Sequence, residues 1–427
     1  MPNRIIFHID VNSAFLSWEA SYRLHHLGGS LDIRTIPSAV GGDIRKRHGI
    51  ILAKSIPAKE FHIQTGEPVT AALKKCPSLY LVPPNYSLYE QCSSAMMDIL
   101  RTYSPAVEIY SIDEAFLDMT GTALLHGAPL LVANAIKDQI KQELGFTVNI
   151  GISCNKLLAK MASDFEKPDK IHTLFPDEIP WKMWPLPIKD LFFVGSATEK
   201  KLKNLGIHTI GELAETDLNL IKTHLKKQGE TVWKFANGVD TSVVLPTSPA
   251  NKGYGNSTTI PFDIVDAETA KKVILSLAET VGGRIRAKQV KIQVVSVGIR
   301  YYDLSYESHQ RKLITATDAT YDIYLEACQI FFELWSGLPI RHLGIHTSCV
   351  SDQDDYRQLS LFDKREEKQL SYDKLRSSDQ MVDEIRKRFG NDSIKRAIFL
   401  SNDGIDHQSG GISREKRIVD YSKQNII

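Results

Sequence analysis

The apolar run of residues 4–10, RIIFHID, reads as a buried strand that closes on an acid. The period then changes. Residues 12–27 place Ala14, Leu16, Trp18 and Tyr22 at helical spacing. From 33 to 80 the pattern is short-range and rich in Gly, Pro and Lys, as expected of a small inserted subdomain. Regularity returns with a helix over 86–102, strands over 107–111 and 114–119, a helix over 129–143 and a strand over 146–152 (FTVNIGI). Strand, helix, two strands, helix, strand is the ferredoxin-like order, here with a piece inserted after the first helix. A short helix over 155–164 precedes Lys167 and Pro168, and short helices follow from 176 to 240. Residues 246–257 (PTSPANKGYGNS) read as a linker. A helix over 266–287, a strand over 289–301, a helix over 318–335 and a strand over 340–349 predict a second small α/β domain. Beyond 351 the chain is polar and charged, apart from an apolar spot at Leu359–Phe362 and a helical stretch, MVDEIRKRFG.

Composition narrows this picture. At 427 residues the chain is long enough for three to four domains, and 42% hydrophobic with 24% charged residues is ordinary for a globular protein. The net charge of +1, from 52 basic and 51 acidic residues, predicts weak non-specific binding to nucleic acid, so any such contact must come from local patches. The cysteines, 76, 92, 154, 328 and 349, are odd in number and show no Cys-x-x-Cys spacing. This argues against a zinc site or disulfide framework and fits a reducing cytoplasm. The N-terminal apolar run is too short for a signal peptide, and no stretch is long enough to span a membrane.

The candidate chemistry starts with acids. Asp10 ends the first strand, and Asp113 and Glu114 sit where the two middle strands meet. In a ferredoxin-like sheet the first and third strands are central neighbours, so these acids can converge. Phosphoryl transfer uses such convergence to hold two magnesium ions about 3.5–4 Å apart, and magnesium takes hard oxygen ligands. Taken alone, acids at strand ends are equally read as solvated.

The segments HIDVNSAFLSWE, YSIDEAFLD and GISCNKLLAKMASDFEKPD, in that order, resemble the Y-family DNA polymerases, translesion enzymes that copy damaged templates. The resemblance covers about residues 4–350 and implies an α+β multidomain, right-hand architecture. The palm would be ferredoxin-like (1–32 and 81–176), with small fingers (33–80), a helical helix-hairpin-helix thumb (177–245), an α/β little finger (246–350) and a C-terminal tail (351–427). It implies that Asp10, Asp113, Glu114 and the Val11 carbonyl hold two Mg2+ ions, with Mn2+ as a substitute. Phe15 would be the aromatic steric gate that rejects a 2′-hydroxyl, the alternative being a core aromatic. Lys167 and Lys59 would meet the triphosphate of the incoming dNTP. Many relatives place a Tyr and an Arg in the fingers where Ile56 and Lys59 stand here, which predicts a looser triphosphate grip. Asn12 replaces a frequent second acid of the first motif without removing a metal ligand.

Further features concern primer-template DNA. Residues 190–213 read as helices around turns at Gly195 and Gly206, resembling a helix-hairpin-helix whose amides hold a phosphate, with Lys200, Lys201 and Lys203 nearby. Arg284, Arg286, Lys288, Lys291 and Arg300 form an acid-free basic stretch. These two features read otherwise as a helical packing unit and a solvated charged face. Gln358, Leu359, Ser360, Leu361 and Phe362 resemble the peptide that docks into a bacterial sliding clamp, which would offset weak DNA binding by tethering. The tail suggests the branch resembling the catalytic subunit of DNA polymerase V. A monomer in the cytoplasm at the bacterial nucleoid is expected, serving error-prone DNA repair and mutagenesis in the SOS response, with an SOS activator or accessory subunits as further partners. A nucleotidyl cyclase shares the palm and metal chemistry but needs no DNA grip. A catalytically dead scaffold would not need all three acids.

Overall fold

The computed structural model describes residues 4–42, 49–247, 249–352, 365–401, 404–408, 410, 419 and 421, with the side chains of 365–372 excepted. These fall into two compact units, one within 1–41, 51–248 and 418–427, the other within 42–50 and 249–417.

In the first unit, β1 (Ile6–Val11) is buried along its whole length. The chain turns sharply at Ser13, whose φ of 50° is uncommon for a residue other than glycine, and enters α1 (Ala14–His26). Asn12 braces this turn. Its carbonyl accepts from Ser17 Oγ at 2.5 Å, and its Oδ1 accepts from Thr147 Oγ1 and the Asp169 N–H, both at 2.9 Å. Its Nδ2 donates to Asn149 Oδ1 at 3.1 Å. The inserted stretch is a small α/β layer: β2 (Ser38–Gly41), β3 (Ile51–Lys54), α2 (Ile56–Glu60), α3 (Val69–Lys75) and β4 (Tyr80–Val82). Its sheet runs β3-β2-β4 over a core including Ala39, Ile51, Ile63 and Val69.

The chain then forms α4 (Tyr86–Tyr103), β5 (Val107–Ile109), β6 (Glu114–Asp118), α5 (Ala123–His126), α6 (Pro129–Leu144), β7 (Val148–Ser153), α7 (Lys156–Ser163) and β8 (Ile171–Thr173). The sheet order β5-β6-β1-β7-β8 is the expected ferredoxin-like one with β8 added at an edge. Three half-buried residues are too few for β8 to show as a period in the sequence. Phe7, Ile9, Trp18, Met96, Leu100, Ile136 and Ile150 form the core between sheet and helices. Gly151 lets α7 lie against β7, because a Cβ there would meet the Ala159 carbonyl at 1.9 Å.

Three short helices, α8 (Ile179–Lys182), α9 (Ser196–Asn204) and α10 (Ile210–Glu215), are followed by a longer one kinked at Lys226, α11 (Leu218–Ala236). Leu202, Ile207, Ile210, Leu213 and Val232 are among the residues that close their core. Gly206, at φ 81°, makes the turn between α9 and α10. Before Gly195 there is only a single 3-10 turn, Ile188–Asp190, rather than a full helix.

The second unit contains β9 (Gly253–Ile264), α12 (Ala267–Ala287), β10 (Val290–Tyr301), β11 (Tyr306–Thr317), α13 (Thr320–Leu334), β12 (Ile340–Asp352) and α14 (Arg365–Phe389). Its antiparallel sheet runs β11-β10-β12-β9. The second half of the expected linker is thus the start of β9. Both β9 and β11 are edge strands with much polar, exposed surface, so hydrophobic alternation did not mark them. Among the described residues no helix is long and apolar enough to cross a membrane.

Candidate active site and nucleic-acid interface

The sheet brings the acids together at one end of its centre. Asp10 lies directly across from Glu114 in the β1–β6 ladder, and the Val11 N–H donates to the Asp113 carbonyl at 3.1 Å. Strand pairing therefore joins residues a hundred positions apart, as the expected order required. Two lysines are already seated on the acids. Lys160 Nζ lies 2.5 Å from Glu114 Oε1, and Lys167 Nζ is ion-paired with Asp10 and, at 2.8 Å, with Asp164. Ser111 Oγ donates to Asp113 Oδ1 at 2.6 Å. Lys160, Asp164 and Ser111 were not singled out from the sequence, although all three lie inside the quoted motifs or beside them.

Burial pushes the Asp10 carboxyl up to about 6, with Lys167 opposing and the negative charges of Glu114 and Asp164 adding to the rise. Lys167 is held above its usual range: burial works against its charge, but Asp10 and Asp164 outweigh it. The site therefore carries negative charge that water solvates poorly, and it already recruits cations. Such a donor set of hard oxygens suits a divalent ion. The three acids do not lie mutually within 4.8 Å. Among the described residues the set that does is Asp392, Asp406 and His407. That set is occupied by other bonds: Lys395 Nζ sits 3.1 Å from both aspartates, and both His407 ring nitrogens have hydrogen-bonding partners.

Phe15 projects from the first turn of α1. Its ring stacks on Tyr89 with centroids 4.5 Å apart and an 8° interplanar angle, and it meets Tyr86 edge-on at 5.6 Å. It is only partly buried, so it retains an accessible face. In the inserted layer, Ser55 caps α2 by accepting from the Ala58 N–H at 3.1 Å. Ile56 and Lys59 are both exposed. Lys54, which the sequence reading passed over, is half-buried; burial and then repulsion from Lys59 lower its pKa.

The expected DNA contacts divide. Gly195 is the exposed residue before α9, with open space around it, and Lys200, Lys201 and Lys203 are exposed; Lys203 pairs with Glu199 at 2.7 Å. On β10, Ile292, Val295, Val297, Ile299 and Tyr301 join the core. The pairing with β11 has a register shift between Ile292 and Val294, while the pairing with β12 runs unbroken from Val290 to Arg300. Lys291 is half-buried and Arg300 exposed. Arg300 lies over the Tyr306 ring at 5.6 Å. Arg284 is exposed, with Nη1 donating to the Gly255 carbonyl at 2.8 Å, and Lys288 is exposed at the end of α12. Arg286 leaves the set. It is ion-paired with Asp383 at 2.6 Å and Asp379 at 3.1 Å on α14, and its side chain is 7% exposed. An acid-free stretch of sequence did not reveal that acids nearly a hundred residues later would claim it. The clamp-like peptide, residues 358–362, lies outside the described residues.

Comparison with known proteins agrees with this geometry. The impB/mucB/samB family matches residues 9–164, its C-terminal domain 251–361 and its HHH motif 176–207. DNA polymerase IV of Clostridium acetobutylicum is 44% identical over 402 residues, covering 94% of this chain and 99% of its own. DNA polymerase IV 1 of Bacillus subtilis is 37% identical over 425 residues, covering 99% of both. A solved Y-family chimera of Dbh and Dpo4 matches at a TM-score of 0.69 and 22% identity, over 82% of this chain and 99% of that one, a likeness of fold. These relatives carry the polymerase IV name, which corrects the leaning toward polymerase V drawn from the tail. Sheet order, acid positions and matches along nearly the whole length agree: the chain belongs to the impB/mucB/samB family of Y-family DNA polymerases, DNA-directed DNA polymerases.

Proposed function

We propose that this polymerase extends primers across damaged templates by two-metal nucleotidyl transfer, without proofreading and in concert with a sliding clamp. The observation that carries the reading is the convergence of Asp10, Asp113 and Glu114 on adjoining strand ends, with cationic lysines bound to two of them. Asp10, Asp113, Glu114 and the Val11 carbonyl would hold the Mg2+ ions, or Mn2+ in their place. Divalent ions bound there supply charge stabilisation to the attacking and leaving oxygens. The protein's own groups do the rest. Lys167, ion-paired with Asp10, would offer its positive charge to the triphosphate once that acid is otherwise neutralised. Lys59, with Lys54 near it, offers point charges to the same phosphates. Phe15, backed by two aromatic rings, presents a rigid surface to the sugar and excludes a 2′-hydroxyl by contact.

Exposed Gly195, Lys200, Lys201 and Lys203, together with Arg284, Lys288, Lys291 and Arg300, would hold primer-template DNA through its backbone, which requires no sequence preference. Residues 358–362 would dock on the clamp, placing the enzyme in the bacterial cytoplasm at the nucleoid, with SOS activators or accessory subunits as further partners. Primer extension over defined lesions, comparing wild type with Asp113→Ala, tests the core of this reading. Loss of about a thousandfold or more in extension rate is expected. Extension unchanged by the substitution would remove these acids from the reaction.

A further inference from the structure

The mechanism leaves one buried polar cluster unused. Glu19 is fully buried on α1, one turn beyond Phe15. Its Oε1 accepts from Arg23 Nε at 2.8 Å. Its Oε2 accepts from Tyr421 Oη at 2.9 Å, a residue 402 positions later. The same Tyr421 hydroxyl accepts from Asn85 Nδ2 at 3.0 Å. Asn85 is the residue that starts α4, where its Oδ1 accepts from the Leu88 N–H at 3.2 Å. The Tyr421 ring lies 5.4 Å from that of Tyr22, and the Arg23 guanidinium lies over it at 5.6 Å.

One hydroxyl therefore bridges α1 and the first turn of α4. These two elements make the Phe15 stack: α1 carries Phe15, and α4 carries Tyr86 and Tyr89 immediately after Asn85. Tyr89 Oη is buried without a hydrogen-bond partner, so packing alone holds the ring on which Phe15 lies. The Tyr421 hydroxyl is thus bonded to the helix that carries Phe15 and to the residue that caps the helix carrying its stacking partners.

We propose that Tyr421 is a positioning residue for the Phe15 sugar gate, acting through Glu19 and Asn85 to hold α1 against α4. This rests on the gate reading given above. Exclusion of a 2′-hydroxyl by contact depends on where the Phe15 ring sits, so discrimination between sugars should be more sensitive to Tyr421 than the chemical step is.

The test measures kcat/KM for a dNTP and the matching rNTP in Tyr421→Phe, in a chain ended after Gly410, and in Phe15→Ala, with Tm for each. Tyr421→Phe keeps the ring contacts and loses the bridge. The expected result is a fall of about tenfold in the dNTP-to-rNTP ratio for Tyr421→Phe and for the shortened chain. The kcat for dNTP should change far less, and a peptide of residues 415–427 added to the shortened chain should restore the ratio. Phe15→Ala should collapse the ratio. If it does while both Tyr421 variants keep the wild-type ratio, whatever their Tm, the positioning role is overturned and the gate stands. If Phe15→Ala leaves the ratio unchanged, the gate itself falls, and this inference with it.

Discussion

Asp10 shows how burial and charge compete within one side chain. Its carboxyl is pushed from an ordinary 3.8 to about 6, first by burial, in spite of Lys167. A folded-state value above the unfolded one means that the fold prefers the protonated acid. The associated stability is full below pH 3.8 and is lost as pH rises through about 6. With Mg2+ present, Asp10→Asn should abolish extension; in metal-free buffer it should escape the loss of Tm expected for wild type between pH 4 and pH 7. A Tm for the variant well below wild type at pH 7 would show that the Lys167 pair outweighs the burial. Ile56 presents the opposite case: it is 49% exposed on α2, where it offers phosphate nothing. Ile56→Tyr should lower the KM for dNTP by several-fold, about 1 kcal/mol for one added hydrogen bond, with kcat little changed. An unaltered KM would show that the triphosphate is gripped elsewhere.

Among the elements, α14 changes the meaning of the second unit most. Helices α12 and α14 are joined by Arg286 with Asp379 and Asp383, and by Arg386 with Glu279 at 2.9 Å. Arg376 adds a bond to Asp318 at 3.0 Å, and Arg396 one to Glu279 at 2.6 Å. Among the described residues the tail is thus bonded into this unit from Arg376 to Arg396, and again where Ser276 Oγ donates to the Asp406 carbonyl at 2.7 Å. Breaking a buried pair leaves an uncompensated charge and costs about 3–5 kcal/mol. Arg286→Ala should lower the stability of this unit by that order and leave the salt dependence of DNA binding unchanged. Arg300→Ala should do the reverse, reducing the slope of log K against log salt by about one and sparing Tm. Equal salt slopes for Arg300→Ala and wild type would remove that face of β10 from the DNA.

For the molecule as a whole, a net charge of +1 limits how long it stays on DNA unaided. Tethering is the economical remedy, since it raises local concentration without any new DNA contact. Deleting residues 358–362 should cut clamp-dependent extension by about a hundredfold and leave clamp-free extension as it was. A loss of equal size without clamp would assign the segment to DNA binding or folding.

Local pattern alone was enough for the central strands and long helices. Helices α4 and α12 announce themselves because burial on one face imposes a period that few other arrangements satisfy, and strand β1 because burial on both faces leaves a continuous apolar run. The three acids were readable as strand ends, and their motifs identified the family. Strands β9 and β11 were not readable, since an edge strand facing water has no period to impose. The fate of Arg286, the seating of Lys160 on Glu114 and the bridge from Tyr421 to Glu19 were likewise invisible. Each depends on which distant side chain arrives at a given distance, and only the packed chain decides that.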